Sequence, residues 1–123
     1  MKVKNNLTNF EIDLAKELLK VFDEQKENER VTIEYTDLAK RLGNNIQPKN
    51  LGKFLGAVSE FCYNELNLPF ISAIVVNKET KQPGEGFYDM LCRYRVNQNY
   101  ENILEEVQTR KDWHELKEYL DRY

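Results

Sequence analysis

Covalent chemistry needs a nucleophile and a group to activate it, and this chain is short of both. His114 is the single histidine, and it lies beside Trp113 in a stretch that reads as a C-terminal helix. Without a cysteine or carboxylate cluster around it, it reads as structural. Cys62 and Cys92 lie in apolar runs, Phe61-Cys62-Tyr63 and Met90-Leu91-Cys92, where a thiol packs as a small hydrophobe. Both read as buried thiols, and a disulfide would need a proximity that spacing does not fix. Ser72 and Cys62 are the remaining nucleophile candidates, and neither comes with a base in its motif. Metal spacing of the Cys-x-x-Cys or His-Glu-x-x-His kind is absent. So are a Gly-x-Ser-x-Gly elbow and a phosphate-cradling loop. Pro83-Gly84-Glu85-Gly86 is too short for that loop, has no Lys-Ser/Thr pair after it, and reads as a turn. Glu101, Glu105 and Glu106 read as a solvated helix face. The expectation is a chain that is not an enzyme and carries no cofactor and no metal.

The elements that position these residues are legible from pattern. Thr8 and Glu11 form a capping-box pair, and Phe10, Leu14, Leu18, Val21 and Phe22 follow at helical spacing, which predicts a helix to about Gln25. The charged run 24–30 reads as its frayed end and a solvated loop. Val31-Thr32-Ile33-Glu34-Tyr35 alternates and is β-branched, so a short strand is expected. Thr36 is placed to cap a helix over 37–42, ended by Gly43 and Asn44-Asn45. Pro48 suits the first turn of the next helix. That helix buries Leu51, Phe54, Leu55, Val58, Phe61 and Cys62 and leaves Lys49, Asn50, Lys53 and Glu60 off the stripe.

Asn67-Leu68-Pro69 breaks the helix, and residues 71–76 read as a buried strand. Residues 77–86 hold turn chemistry. Residues 87–96 admit a second strand, or a helix opening at Arg93-Tyr94-Arg95. Tyr100, Ile103, Leu104 and Val107 stripe a further helix. Asp112 is placed to cap a last one, with Trp113, Leu116 and Leu120 inward. The predicted fold is α+β. It has a mostly helical, winged-helix-like core at about 31–96 with a small β-sheet or hairpin, and flanking helices at about 8–27 and 99–122. All of it makes one domain, 1–123.

The run Ile33-Glu34-Tyr35-Thr36-Asp37-Leu38-Ala39-Lys40-Arg41-Leu42-Gly43 resembles the entry of the winged-helix domain of alkylguanine-DNA alkyltransferases and alkyltransferase-like proteins. Pro48, Lys53 before Gly56, Leu68-Pro69, Val75-Val76 and the Gly84/Gly86-Phe87 ending follow in similar order. The resemblance covers 33–87. The family's transferases carry a Pro-Cys-His-Arg nucleophile motif before the Val-Val pair. Here the stretch is Ile71-Ser72-Ala73-Ile74, so the resemblance implies a binding-only branch or a shared fold. The segment from Pro69 through Val75-Val76-Asn77-Lys78 to Gly86-Phe87 also resembles short bacterial modules associated with mobile elements and restriction systems. That implies a phage or defence-system accessory factor.

In a helix-turn-helix the second helix enters the major groove with its N-terminal residues on the bases. Here Gln47, Lys49, Asn50 and Lys53 take that place. Asn and Gln pair with adenine edges and Lys with guanine or phosphate, while Lys40, Arg41, Lys78 and Lys81 are set to bind flanking phosphates. These eight are the candidate nucleic-acid-binding residues, and double-stranded DNA is the expected partner. The alternative is a protein partner, on the strength of an acidic C-terminal third and of Trp113, Tyr119 and Tyr123 near that end. Net charge is −3 and unevenly spread, −1 over 1–30, +1 over 31–95 and −3 over 96–123. That excludes the strongly basic footprint of a tight nonspecific nucleic-acid binder. A chain of 123 residues holds one core without disulfides or metals. No run approaches the roughly 20 apolar residues of a membrane span, and the expected location is the cytoplasm.

Overall fold

A computed structural model describes residues 7–43, 46–110 and 113–122. Thr8 opens the first helix as expected. Its side chain accepts the Glu11 N–H at 3.2 Å, and the Glu11 carboxylate accepts the Thr8 N–H at 2.9 Å. Two N–H groups that the first turn would leave unpaired are thereby satisfied. The helix α1 runs Asn9–Glu24 and buries Ile12, Leu14, Ala15, Leu18, Leu19 and Val21. Just before it, the Leu7 N–H donates to Tyr119 Oη at 3.2 Å, which ties the start of the described chain to its last helix.

The strand β1 is only Ile33–Glu34, shorter than the predicted Val31–Tyr35. The reason lies on either side of it. Gln108 accepts the Val31 N–H at 2.6 Å and donates to the Val31 carbonyl at 2.8 Å. Gln25 does the same for Thr32 at 3.3 and 3.0 Å. Side-chain amides thus replace the ladder a longer strand would need. Tyr35 already begins the helix α2, Tyr35–Arg41, with Glu34 at the N-cap and no side-chain cap bond. Thr36 is therefore inside the helix and not its cap. Gly43 ends this turn at φ 83°, a conformation that glycine adopts without steric cost. Asn44 and Asn45 lie outside the described residues. A single 3-10 turn, Pro48–Asn50, leads directly into α3, Leu51–Glu65, which buries Leu51, Leu55, Val58, Ser59, Phe61 and Cys62.

The predicted buried strand 71–76 is mostly a 3-10 turn, Ile71–Ile74, and only Val75–Val76 form β2. Every residue from Ile71 to Val76 is buried, so hydrophobic pattern could not choose between the two. Tertiary partners decided it. The Ser72 N–H donates to Ser59 Oγ at 2.9 Å, and the Tyr100 hydroxyl donates to the Ala73 carbonyl at 2.7 Å. β1 and β2 pair in parallel, Ile33 opposite Val75 and Glu34 opposite Val76. The sheet is therefore not a hairpin.

Residues 85–93 are a helix, α4 (Glu85–Arg93), and not the second strand that was one of the two expectations; the helix also starts well before Arg93. Phe87, Met90 and Leu91 are its buried residues, a spacing of three and four that only a helix turns to one side. The chain ends with α5, Tyr100–Thr109, and α6, His114–Leu120. Asp112, the expected cap of α6, lies outside the described residues.

The result is an α+β chain, mostly helical, with six α-helices and a two-stranded parallel sheet among the described residues. One cluster of buried apolar side chains draws on all six helices. α1 packs on α3 and α6, and the 71–74 turn is held between α3 and α5. Among the described residues no helix is long and apolar enough to cross a membrane.

Candidate functional site

The start of α3, the start of α4 and the 77–84 loop enclose a cleft of about 490 Å³. Four glycines, Gly52, Gly56, Gly84 and Gly86, line it. At Gly52, Gly56 and Gly86 a Cβ would meet nothing within 4 Å, so the missing side chains keep the cleft open. Gly52 and Gly56 are four residues apart and share one face of α3. Leu55, Phe87 and Met90 give the cleft an apolar wall.

Ser72 lines the cleft although it is only 5% exposed. Beneath it, the Ser59 hydroxyl donates to Ser72 Oγ at 2.6 Å. The loop is fastened across the top. The Gly84 N–H donates to Tyr35 Oη at 2.9 Å. Burial pushes the Tyr35 pKa up, and the Gly84 hydrogen bond opposes that shift. Lys81 reaches Glu34 at 3.1 Å, and the Tyr88 hydroxyl donates to Gln82 at 2.9 Å.

The eight predicted contact residues fall in four places. Gln47, Asn50 and Lys53 are exposed along the N-terminal edge of α3, and Lys53 Nζ stands 5.1 Å over the Phe54 ring. Lys49 and Lys78 are exposed and line the cleft, while Lys40 is exposed on α2. Arg41 and Lys81 lie apart, around a polar depression that includes Gln25, Thr32 and Asp37. Both are ion-paired there, Arg41 with Glu17 at 3.4 Å and with Glu24, and Lys81 with Glu34. Glu34, Glu79 and Glu85 also line the cleft, so charge around it is mixed and not uniformly positive.

Other expectations need correction. Cys62 is buried, and burial pushes its pKa up to about 12, but Cys92 is exposed and both thiols are free. Cys92 belongs to the outer face of α4, which the strand reading could not show. Trp113 and Tyr119 are buried, at 2% and 7% exposure, so they serve the core and are not partner-facing aromatics; Tyr123 lies outside the described residues. His114 is exposed, with Nδ1 3.5 Å from Glu115. Among the described residues no three His, Cys, Asp or Glu side chains gather to hold a metal ion. Ser72 has a second serine as its hydroxyl partner, which supplies no base. The arrangement offers hydrogen bonds and charge to a bound partner.

Tyr35, Ser59 and the four glycines escaped sequence reasoning as site residues. The Gly52-x-x-x-Gly56 spacing on a strongly patterned helix was the available signal. Compared with family models, curated proteins and solved structures, the chain matches none.

Proposed function

We propose that this chain is a non-catalytic nucleic-acid-binding protein that lays the N-terminal edge of α3 against a DNA duplex. One observation carries the reading: Gln47, Lys49, Asn50 and Lys53 are all exposed, while Leu51, Leu55, Val58 and Cys62 of the same segment are locked into the core. A rigid element with a free polar edge is what a groove-reading helix requires. The resemblance of 33–87 to the alkyltransferase-like winged-helix domain supports the same reading, and with it the role of a phage or defence-system accessory factor. Gln47 and Asn50 suit adenine edges and Lys53 suits guanine. Lys40, Lys49 and Lys78 take phosphates. Arg41 and Lys81, already paired with glutamates, contribute little.

With about three phosphate contacts, the logarithm of affinity should fall against the logarithm of salt with a slope near −3. Fluorescence anisotropy on a labelled duplex at low and moderate salt tests this. Lys49→Glu combined with Lys53→Glu should abolish binding, and Lys81→Ala should leave it nearly unchanged. No binding at low salt, or an indifferent double variant, defeats the proposal.

The mixed charge of the cleft favours a second reading, a protein partner that sets a basic segment against Glu79 and Glu85. Recovery of a protein by affinity capture from the source cell, lost on Glu79→Lys with Glu85→Lys, would select it over DNA.

A further inference from the structure

A second cavity lies away from the cleft and shares no residue with it. It has about 480 Å³ and is bounded by the end of α1, the 26–31 loop and the α5–α6 junction. Its volume falls within the range of pockets that hold small organic ligands. Leu19, Phe22, Val31 and Trp113 form its apolar lining, with the Phe22 and Trp113 rings 5.3 Å apart.

The rim is fixed in place. Gln25 and Gln108 each clamp both backbone groups of one loop residue, Thr32 and Val31. Arg30 adds an ion pair to Glu101 at 3.0 Å.

Two buried donors in this lining have no acceptor among the described residues. Trp113 is 2% exposed, and among the described residues its Nε1–H has no hydrogen-bond partner; the same holds for Arg110 Nε–H. Native interiors seldom leave such groups unmet, because each costs the desolvation of an N–H with nothing in return. The guanidinium of Arg110 otherwise faces Glu115, both of whose oxygens lie 3.1 Å from its Nη2. That ion pair offsets its charge. At the mouth stand Asp23, Glu27 and Glu29 against Lys26 and Lys117, a balance that does not attract an anion.

We propose that this cavity binds a small, uncharged, apolar molecule whose carbonyl oxygen accepts from Trp113 Nε1–H. The Arg110 side chain is 34% exposed. It can therefore swing outward and open the Trp113 donor to the cavity that the two side chains line. The apolar part of the ligand then packs against Leu19, Phe22 and Val31.

Trp113 is the single tryptophan, so its indole N–H gives one resolved signal in a proton–nitrogen spectrum of the intact chain. Three probes that share a benzyl group separate the possibilities. Phenylacetamide should move that signal downfield and saturably. Phenylacetate should bind more weakly, because of the acidic mouth. Ethylbenzene, which has no acceptor, should give no downfield movement. Phe22→Ala should weaken phenylacetamide at least tenfold, and its effect is read only after the remaining spectrum shows a native fold. No saturable shift with phenylacetamide in the wild-type chain overturns the proposal. So does an equal shift with ethylbenzene, or tighter binding of phenylacetate.

Discussion

Ser59 and Ser72 show how a polar pair survives in an apolar interior. The Ser59 hydroxyl accepts the Ser72 N–H and donates to the Ser72 hydroxyl, and both residues are buried. Ser59→Ala strands the Ser72 N–H, at a cost of about 1–3 kcal/mol. Ser72→Ala keeps that N–H bond and should cost less. Urea denaturation of the two variants checks the order, and a larger loss for Ser72→Ala would contradict it. The two cysteines differ in the same residue-level way. Burial holds the Cys62 thiol neutral, with its pKa at about 12, and it is the thiolate that reacts. A thiol-reactive dye at pH 8 should therefore label one cysteine per folded chain, Cys92, and two in denaturant. Fast labelling of both in the folded chain would show that the core around Cys62 is open.

Helix ends and helix glycines are where elements set stability against use. Thr8 caps α1 with a reciprocal pair of bonds, and Thr8→Ala should cost about 1 kcal/mol. Gly56 is inside α3, where glycine is worth about 1 kcal/mol less than alanine, and an added Cβ meets nothing within 4 Å. Gly56→Ala should therefore raise the denaturation midpoint. Gly56→Leu should fold as well but fill the cleft, and should weaken the proposed DNA binding if the cleft belongs to that surface. A Gly56→Leu chain that is folded and binds DNA undiminished would separate the cleft from the DNA surface. α4 teaches the converse lesson. Phe87, Met90 and Leu91 already spelled a helix, yet the aromatic and turn-flanked start of the segment left strand and helix both open.

At the scale of the whole molecule, the buried Tyr100 hydroxyl and the buried Cys62 thiol both couple stability to pH at the alkaline end. The Tyr100 hydroxyl donates to the Ala73 carbonyl, and burial pushes its pKa from 10.0 up to about 12. The unfolded chain loses this proton first. The stabilisation is thus complete below about pH 10 and is lost as pH rises toward 12. Tyr100→Phe should lower stability at pH 8 but flatten the decline above pH 10, as followed by denaturation midpoints. An unchanged alkaline slope would assign the decline to another group. At the acid end, Arg41 and Arg30 hold Glu24 and Glu101 below the usual carboxylate range. Their help is present above that range and fades as pH falls through the lowered values. Both carboxylates are fully exposed, so water screens the effect.

By itself the sequence determined what local physics determines. It placed the Thr8 cap, the helical stripes of α1, α3 and α5, the turn at Gly43 and the proline that opens the α3 segment. It also placed the polar edge at Lys49, Asn50 and Lys53, because residues off an apolar stripe have only the outside to face. Tertiary structure decided the rest. It cut the 71–76 strand to two residues, because Ser59 and Tyr100 satisfy that backbone from other elements. It split the eight contact residues, because Glu17, Glu24 and Glu34 happen to approach Arg41 and Lys81. It also gathered the four glycines, distant in the chain, around one cleft. Short-range pattern carries no information about which distant side chain will supply a hydrogen bond or a counter-charge, and each of these outcomes turned on such a partner.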